Sequence, residues 1–124
     1  MNIVDSSAWL SWFADDENAI HFATTIENTK SLLVPSITIT EVFKRILQQR
    51  DENSALTAIA HMRQGKVIHL DEHLAIDAAC YSVQHKLPLA DSIIYATAKK
   101  HQATIWTMDA DFKNLELVKY FQRK

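Results

Sequence analysis

The chain has 124 residues, 48% hydrophobic and 23% charged, which fits one globular domain, leaves no room for a second, and supports a core without disulfides or structural metal. One cysteine, Cys80 in the apolar run around Ala78, Ala79, Tyr81 and Val83, excludes a disulfide scaffold and a thiolate metal cluster and reads as a small core residue; one glycine, Gly65, excludes a P-loop and a dinucleotide fingerprint. The net charge of −2, from 13 basic and 15 acidic residues, argues against an indiscriminate polyanion binder, but a carboxylate pocket that holds cations still attracts phosphate because the ions reverse the local sign.

From the N-terminus, β-branched runs alternate with segments of helical spacing, the pattern of an α/β domain. Asp5 interrupts the only N-terminal run that resembles a signal peptide, and no apolar run approaches the ~18 residues of a membrane span, so a soluble cytoplasmic protein is expected. Strands are predicted at Asn2 to Asp5, Leu32 to Pro35, Lys66 to Leu70, Thr104 to Thr107 and Leu117 to Lys119. Being apolar on both faces, they suit a mostly parallel sheet covered by helices on each side. Helices are predicted over 6–13, 17–28, 37–50, 53–64, 72–85 and 88–101, with Pro88 suited to the first position of the last. Trp9, Trp12 and Phe13 form one apolar stripe, and Ile39, Val42, Phe43, Ile46 and Leu47 another; both read first as core or subunit contacts. Gln122 to Lys124 are expected to fray.

Asp5 ends the first strand, and Asp109 follows the fourth by two residues. An open parallel sheet places both at its carboxyl edge, where ligands bind at the point of strand-order reversal. Asp91 falls in the first turn of the helix that feeds the fourth strand, and Glu41 in the helix after the second. Taken singly, each has a structural reading. Asp5 and Asp109 could be N-caps, and Asp91 could complement a helix dipole. Glu41 projects opposite its helix's apolar stripe, with Lys44 and Arg45 as surface partners. Capping requires no second carboxylate nearby, however, whereas several acids on one rim repel unless some are protonated or a cation joins them. Oxygen-only ligands point to Mg²⁺ or Mn²⁺.

The segments Asn2-Ile-Val-Asp5-Ser6-Ser7, Ile39-Thr40-Glu41-Val42, Leu87-Pro-Leu-Ala-Asp91-Ser-Ile-Ile-Tyr-Ala-Thr-Ala98 and Trp106-Thr-Met-Asp109-Ala-Asp111-Phe112 resemble, in order, the motifs of PIN-domain ribonucleases. The chain length resembles that of the VapC toxins of bacterial toxin-antitoxin pairs. This resemblance implies a single PIN domain over residues 1–124, an α/β/α sandwich around a mostly parallel sheet of about five strands. It implies a Mg²⁺ or Mn²⁺ site built from Asp5, Glu41, Asp91 and Asp109. Asp111 would be a further acid in support or a ligand through water, and Ser6 and Thr107 hydroxyls would orient carboxylates or water. The implied activity is RNA cleavage by a metal-activated water, leaving 5′-phosphate and 3′-hydroxyl ends. The implied partners are RNA, a cognate antitoxin and a second copy of the chain.

Lys44, Arg45 and Lys113 are candidates for RNA phosphate contacts that position without reading bases, in competition with ion pairing to Glu41 or Asp111. His69 and His73 have the i, i+4 spacing of a zinc pair only if one helix carries both, and a strand end is expected between them. Two other readings stand beside the nuclease. One is a catalytically silent RNA- or protein-binding relative. The other is a phosphoacceptor receiver domain using Asp71, Thr107 and Lys119, which lacks the acidic pair expected after its first strand and leaves Glu41 and Asp91 without a role.

Overall fold

Five short strands, β1 (Asn2–Val4), β2 (Leu32–Pro35), β3 (Lys66–Ile68), β4 (Thr104–Thr107) and β5 (Val118–Tyr120), pair in the order β3-β2-β1-β4-β5 in the computed structural model of residues 1–124. Every pairing is parallel. Alternation along the strands divides the core: Ile3, Leu33 and Ile105 face one side, and Val4, Leu32 and Val34 the other. On the second side, apolar residues of α1 (Ser6–Ala14), α2 (Ala23–Glu27), α3 (Ser36–Gln49) and α4 (Glu52–Met62) complete a cluster around Trp9 and Phe22. On the first side, α6 (Leu89–His101) packs on the sheet through Ile94, Tyr95 and Ala98, and α5 (Glu72–His85) packs on α6 through Leu74 and Ala78.

Being covered by the sheet and by α5, α6 is buried continuously from Asp91 to Ala98. Ser92 and Thr97 are tolerated there because their hydroxyls donate to the carbonyls of Leu89 and Ile93. The single glycine precedes β3 where β2 is closest: a Cβ at Gly65 would lie 3.0 Å from both the Leu32 carbonyl oxygen and Val34 Cγ2. With no glycine available at helix ends, α1, α5 and α6 finish on Asp15, Lys86 and Gln102 in the left-handed conformation, at φ of 51°, 55° and 52°. No helix is long and apolar enough to cross a membrane.

Several expectations are corrected. The helix expected over 17–28 is a 3₁₀ turn, Ala19–His21, followed by the short α2. Asp16 explains the break: its Oδ1 accepts from the Asn18 N–H and the Ser11 hydroxyl, which turns the chain before a longer helix can start. Cys80 is exposed, because α5 meets α6 along Leu74, Ala78, Tyr81 and His85 and turns Cys80 outward with Ile76 and Val83. The tail, expected to fray over Gln122 to Lys124, is exposed there and tethered on either side. Phe121 stacks on His21 and Trp106 with ring centroids 4.6 and 5.9 Å away, and the Lys124 N–H donates to Asn18 Oδ1.

Candidate metal centre

Strand order reverses at β1, which has β2 on one side and β4 on the other, so the crevice lies beyond the carboxyl ends of β1 and β4. Asp5 stands at that point, and its N–H continues the ladder to the Trp106 carbonyl at 3.0 Å. Its backbone, at φ −69° and ψ 159°, has the extended form of an N-cap, yet its side chain caps nothing. Oδ2 instead accepts 2.7 Å bonds from both the Ser7 and the Thr107 hydroxyls, while Ser6 Oγ stands 3.4 Å from Oδ1. The structural reading of Asp5 as a cap is therefore overturned. That of Asp109 holds in part: its Oδ1 accepts from the Asp111 N–H and starts the 3₁₀ turn Ala110–Phe112. The same carboxylate also belongs to a group, with Asp91 and Asp111, whose ligand oxygens lie within 4.8 Å of one another.

Asp91 enters from the first turn of α6 and is buried. Burial pushes its pKa up to about 8, and the charges of Asp109 and Asp5, a hydrogen bond its protonated form makes to Asp109, and the charge of Glu41 push the same way. Burial likewise raises Asp5, against the Ser7 and Thr107 hydroxyls, with the Asp109 charge adding to the rise. Glu41 is raised by burial first, then by the charge of Asp5; the Ser6 hydroxyl opposes this and Asp109 reinforces it. Asp5 feels the charge of Asp109, Glu41 those of Asp5 and Asp109, and Asp91 those of Asp109, Asp5 and Glu41, so the four carboxylates lie within electrostatic reach of one another at this edge of the sheet.

Glu41 departs from its expected orientation. The buried line of α3 runs through Thr38, Val42 and Ile46, while Leu47 is 46% exposed, so the inward face is rotated from the apolar stripe and Glu41 flanks it. Glu41 Oε1 is buried without any hydrogen-bond partner. An orphaned buried carboxylate oxygen amid mutually repelling acids is what a bound cation satisfies. The donors are all hard oxygens, and the residues fit a divalent ion of the magnesium type.

Lys44 and Arg45 are exposed on α3 and pair with no acid; the only ion pairs are His73 with Asp77 and Lys99 with Glu116. Lys113 does not pair with Asp111, and its Nζ lies 5.7 Å from the centre of the Tyr120 ring. These cations are free of the competition expected from the sequence. Asp71 accepts from the Leu74 N–H and caps α5 on the surface, and the Lys119 ammonium lies over Trp106, which removes the phosphoacceptor arrangement. Strand β3 ends at Ile68, before His69, and His73 begins α5, so no helix holds both histidines. Ser7 is the site residue that sequence reading missed. The doubled serine after Asp5 was the available signal, but only the fold shows that the second hydroxyl makes the short bond.

The family model for the PIN domain matches residues 3–117. No curated protein shows a significant sequence match. Among solved structures, the chain is similar to a toxin-antitoxin complex from Klebsiella pneumoniae, with a TM-score of 0.80, 21% identity and 96% of each chain covered. It is similar to VapC20 of Mycobacterium tuberculosis, described as a sarcin-ricin loop cleaving toxin, with a TM-score of 0.77, 18% identity, and coverage of 90% of this chain and 92% of that one. It is also similar to DNA-bound VapBC from Salmonella typhimurium, with a TM-score of 0.75, 15% identity and 98% of each chain covered.

Proposed function

Because the chain belongs to the PIN-domain family, we propose that its carboxylate pocket holds Mg²⁺ or Mn²⁺ and hydrolyses phosphodiester bonds of RNA. The observation that carries this reading is the partnerless buried Oε1 of Glu41, set beside Asp5 and Asp109, whose charges raise its pKa and that of Asp91. Asp5, Glu41, Asp91 and Asp109 hold the ion, and Asp111 stands at the outer side as a further oxygen donor. A bound divalent ion supplies an acidified water and neutralises charge developing on the phosphodiester. Thr107 and Ser6 orient the acids. Lys44, Arg45 and Lys113 take the flanking phosphates, which positions the strand without reading bases. Water adds to phosphorus as the P–O3′ bond breaks and the departing oxygen takes a proton, leaving 5′-phosphate and 3′-hydroxyl ends.

Likeness to toxin-antitoxin complexes supports a toxin role in the cytoplasm, with a cognate antitoxin protein as its restraint. A homodimer is supported by the outer face of α5, where Ile76, Ala79, Cys80 and Val83 are exposed between Glu72 at one end and Lys86 at the other. Pairing two such helices antiparallel sets apolar centre against apolar centre and each Glu72 toward the other copy's Lys86. Val83→Asp is expected to convert dimer to monomer in size-exclusion chromatography with light scattering. The silent-binder alternative has no observation in its favour.

The test is RNA cleavage by purified protein with Mn²⁺. Asp5→Asn and Asp91→Asn are each expected to lower the rate by at least about 10- to 100-fold with circular dichroism unchanged. Wild-type activity in purified Asp91→Asn would overturn the assignment.

A further inference from the structure

We propose that Ser7 is a positioning residue of the metal centre: together with Thr107 it saturates Oδ2 of Asp5, so that Asp5 offers a cation one oxygen only, Oδ1. This rests on the cation-binding reading above and specifies how one ligand is held.

The proton positions follow from the backbone. The Met108 N–H lies 3.2 Å from Ser7 Oγ, and the Asp109 N–H 2.8 Å from Thr107 Oγ1. An N–H can only donate, so each hydroxyl oxygen is an acceptor in that contact and must direct its single proton elsewhere. The only other partner of each is Asp5 Oδ2, at 2.7 Å in both cases. These are short bonds to an acidic oxygen, and two of them use the two lone-pair directions that a carboxylate oxygen presents. Oδ1 is treated differently. The hydroxyl beside it, Ser6 Oγ, stands at 3.4 Å, beyond the usual range for a hydroxyl donor.

The two hydroxyls thus form a clip with a distinct anchor on each side. Ser7 belongs to the first turn of α1 and Thr107 to the end of β4, and their bonds join positions 101 and 102 residues apart in the chain. Two bonds arriving at one oxygen fix rotation of the carboxylate about its terminal torsion, which is otherwise broad. One bond would not. Without the Ser7 hydroxyl, Oδ2 keeps a single donor, the Met108 N–H loses its acceptor, and the carboxylate can turn to present either oxygen or both.

The experiment measures Mn²⁺ dissociation constants by electron paramagnetic resonance of free Mn²⁺ on the full chain, for wild type, Ser7→Ala, Ser7→Thr and Ser11→Ala. Ser11 lies on the same helix, is buried, and bonds Asp16 outside the pocket, so its loss reports purely structural damage to α1. The expected result is a weakening of about 10- to 100-fold in Ser7→Ala, recovery in Ser7→Thr, and wild-type affinity in Ser11→Ala. Wild-type affinity in Ser7→Ala, or an equal loss in Ser11→Ala, overturns the role of Ser7 and leaves the cation reading standing. Absence of Mn²⁺ binding by the wild type overturns that reading and this one with it. A Mn²⁺-soaked crystal checks the oxygen assignment: Oδ1 at the ion supports it, and Oδ2 at the ion refutes it.

Discussion

Asp71 and Asp5 occupy the same local context, an aspartate between a strand and a helix, and meet opposite environments. Asp71, like Asp51 before α4, is exposed and accepts from a backbone N–H in the helix it starts; that bond holds its pKa below the ordinary range. Asp5 makes no side-chain cap to the backbone of its helix, accepts instead from the hydroxyls of Ser7 and Thr107, and is pushed up by burial. Asp91, also in a first turn, is likewise raised, to about 8. The difference lies across the sheet. The charges that act on Asp71 are the cations Lys100 and His73, whereas beside β1 stands β4, with Asp109 beyond its end to act on Asp5. Helix starts that serve stability and helix starts that serve a site are told apart by their neighbours in space, not by their neighbours in sequence.

The contrast is tested most strongly by neutralising one acid of each kind in metal-free protein at pH 8. Asp91→Asn removes a charge that burial and three other acids oppose, and is expected to stabilise by about 1–3 kcal/mol, seen as a rise of several degrees in Tm. Asp71→Ala removes a cap and is expected to lower Tm. The same sign in both variants would break the comparison.

A pH series sharpens it. Between the ordinary aspartate value of 3.8 and about 8, the folded state holds a proton on Asp91 that the unfolded state has released. Folding therefore takes up protons, and the stability of the metal-free protein should fall as pH rises through that window; Asp5 and Glu41, also raised, act in the same direction. The capping acids act oppositely, since their contribution is present above the unfolded value and is lost as pH falls through their lowered folded values. Urea midpoints from pH 5 to pH 8 should show the decline, and saturating Mn²⁺ should reduce it by stabilising the ionised pocket, with a larger rise in Tm at pH 8 than at pH 6.

The smallest effect concerns helix ends instead of helix starts. Lys86→Gly and Gln102→Gly place glycine at left-handed positions far simpler than the pocket, and each should stabilise by about 1 kcal/mol in thermal unfolding.

Strand positions and the parallel α/β class were legible because short apolar β-branched runs alternated with segments of helical period, and helix 72–85 was predicted with the bounds it has. What was not legible depended on partners distant in the chain. The apolar residues of α3 did not reveal that Thr38, itself polar, lies on the buried line, and so Glu41 looked exposed. Cys80 sits among apolar neighbours, but α5 has only one contact face, and the sequence does not say which of its small residues that face uses. Motif order singles out Asp5, Glu41, Asp91 and Asp109 as the acids proposed for the ion. The division of labour between Asp5's two oxygens was not legible, because it is set by amides that follow β4.

The pairing of β1 with β4 joins Val4 to Trp106, and this has a consequence for synthesis. Asp5 leaves the ribosome 102 residues ahead of Thr107, whose strand, with the carboxylate of Asp109 after it, is what fixes it. A nascent chain carrying Asp5, Glu41 and Asp91 has three of the acids and no seam to gather them. If the pocket cleaves RNA, the polypeptide stays harmless to the message and the machinery that produce it until β4 has been made and paired with β1.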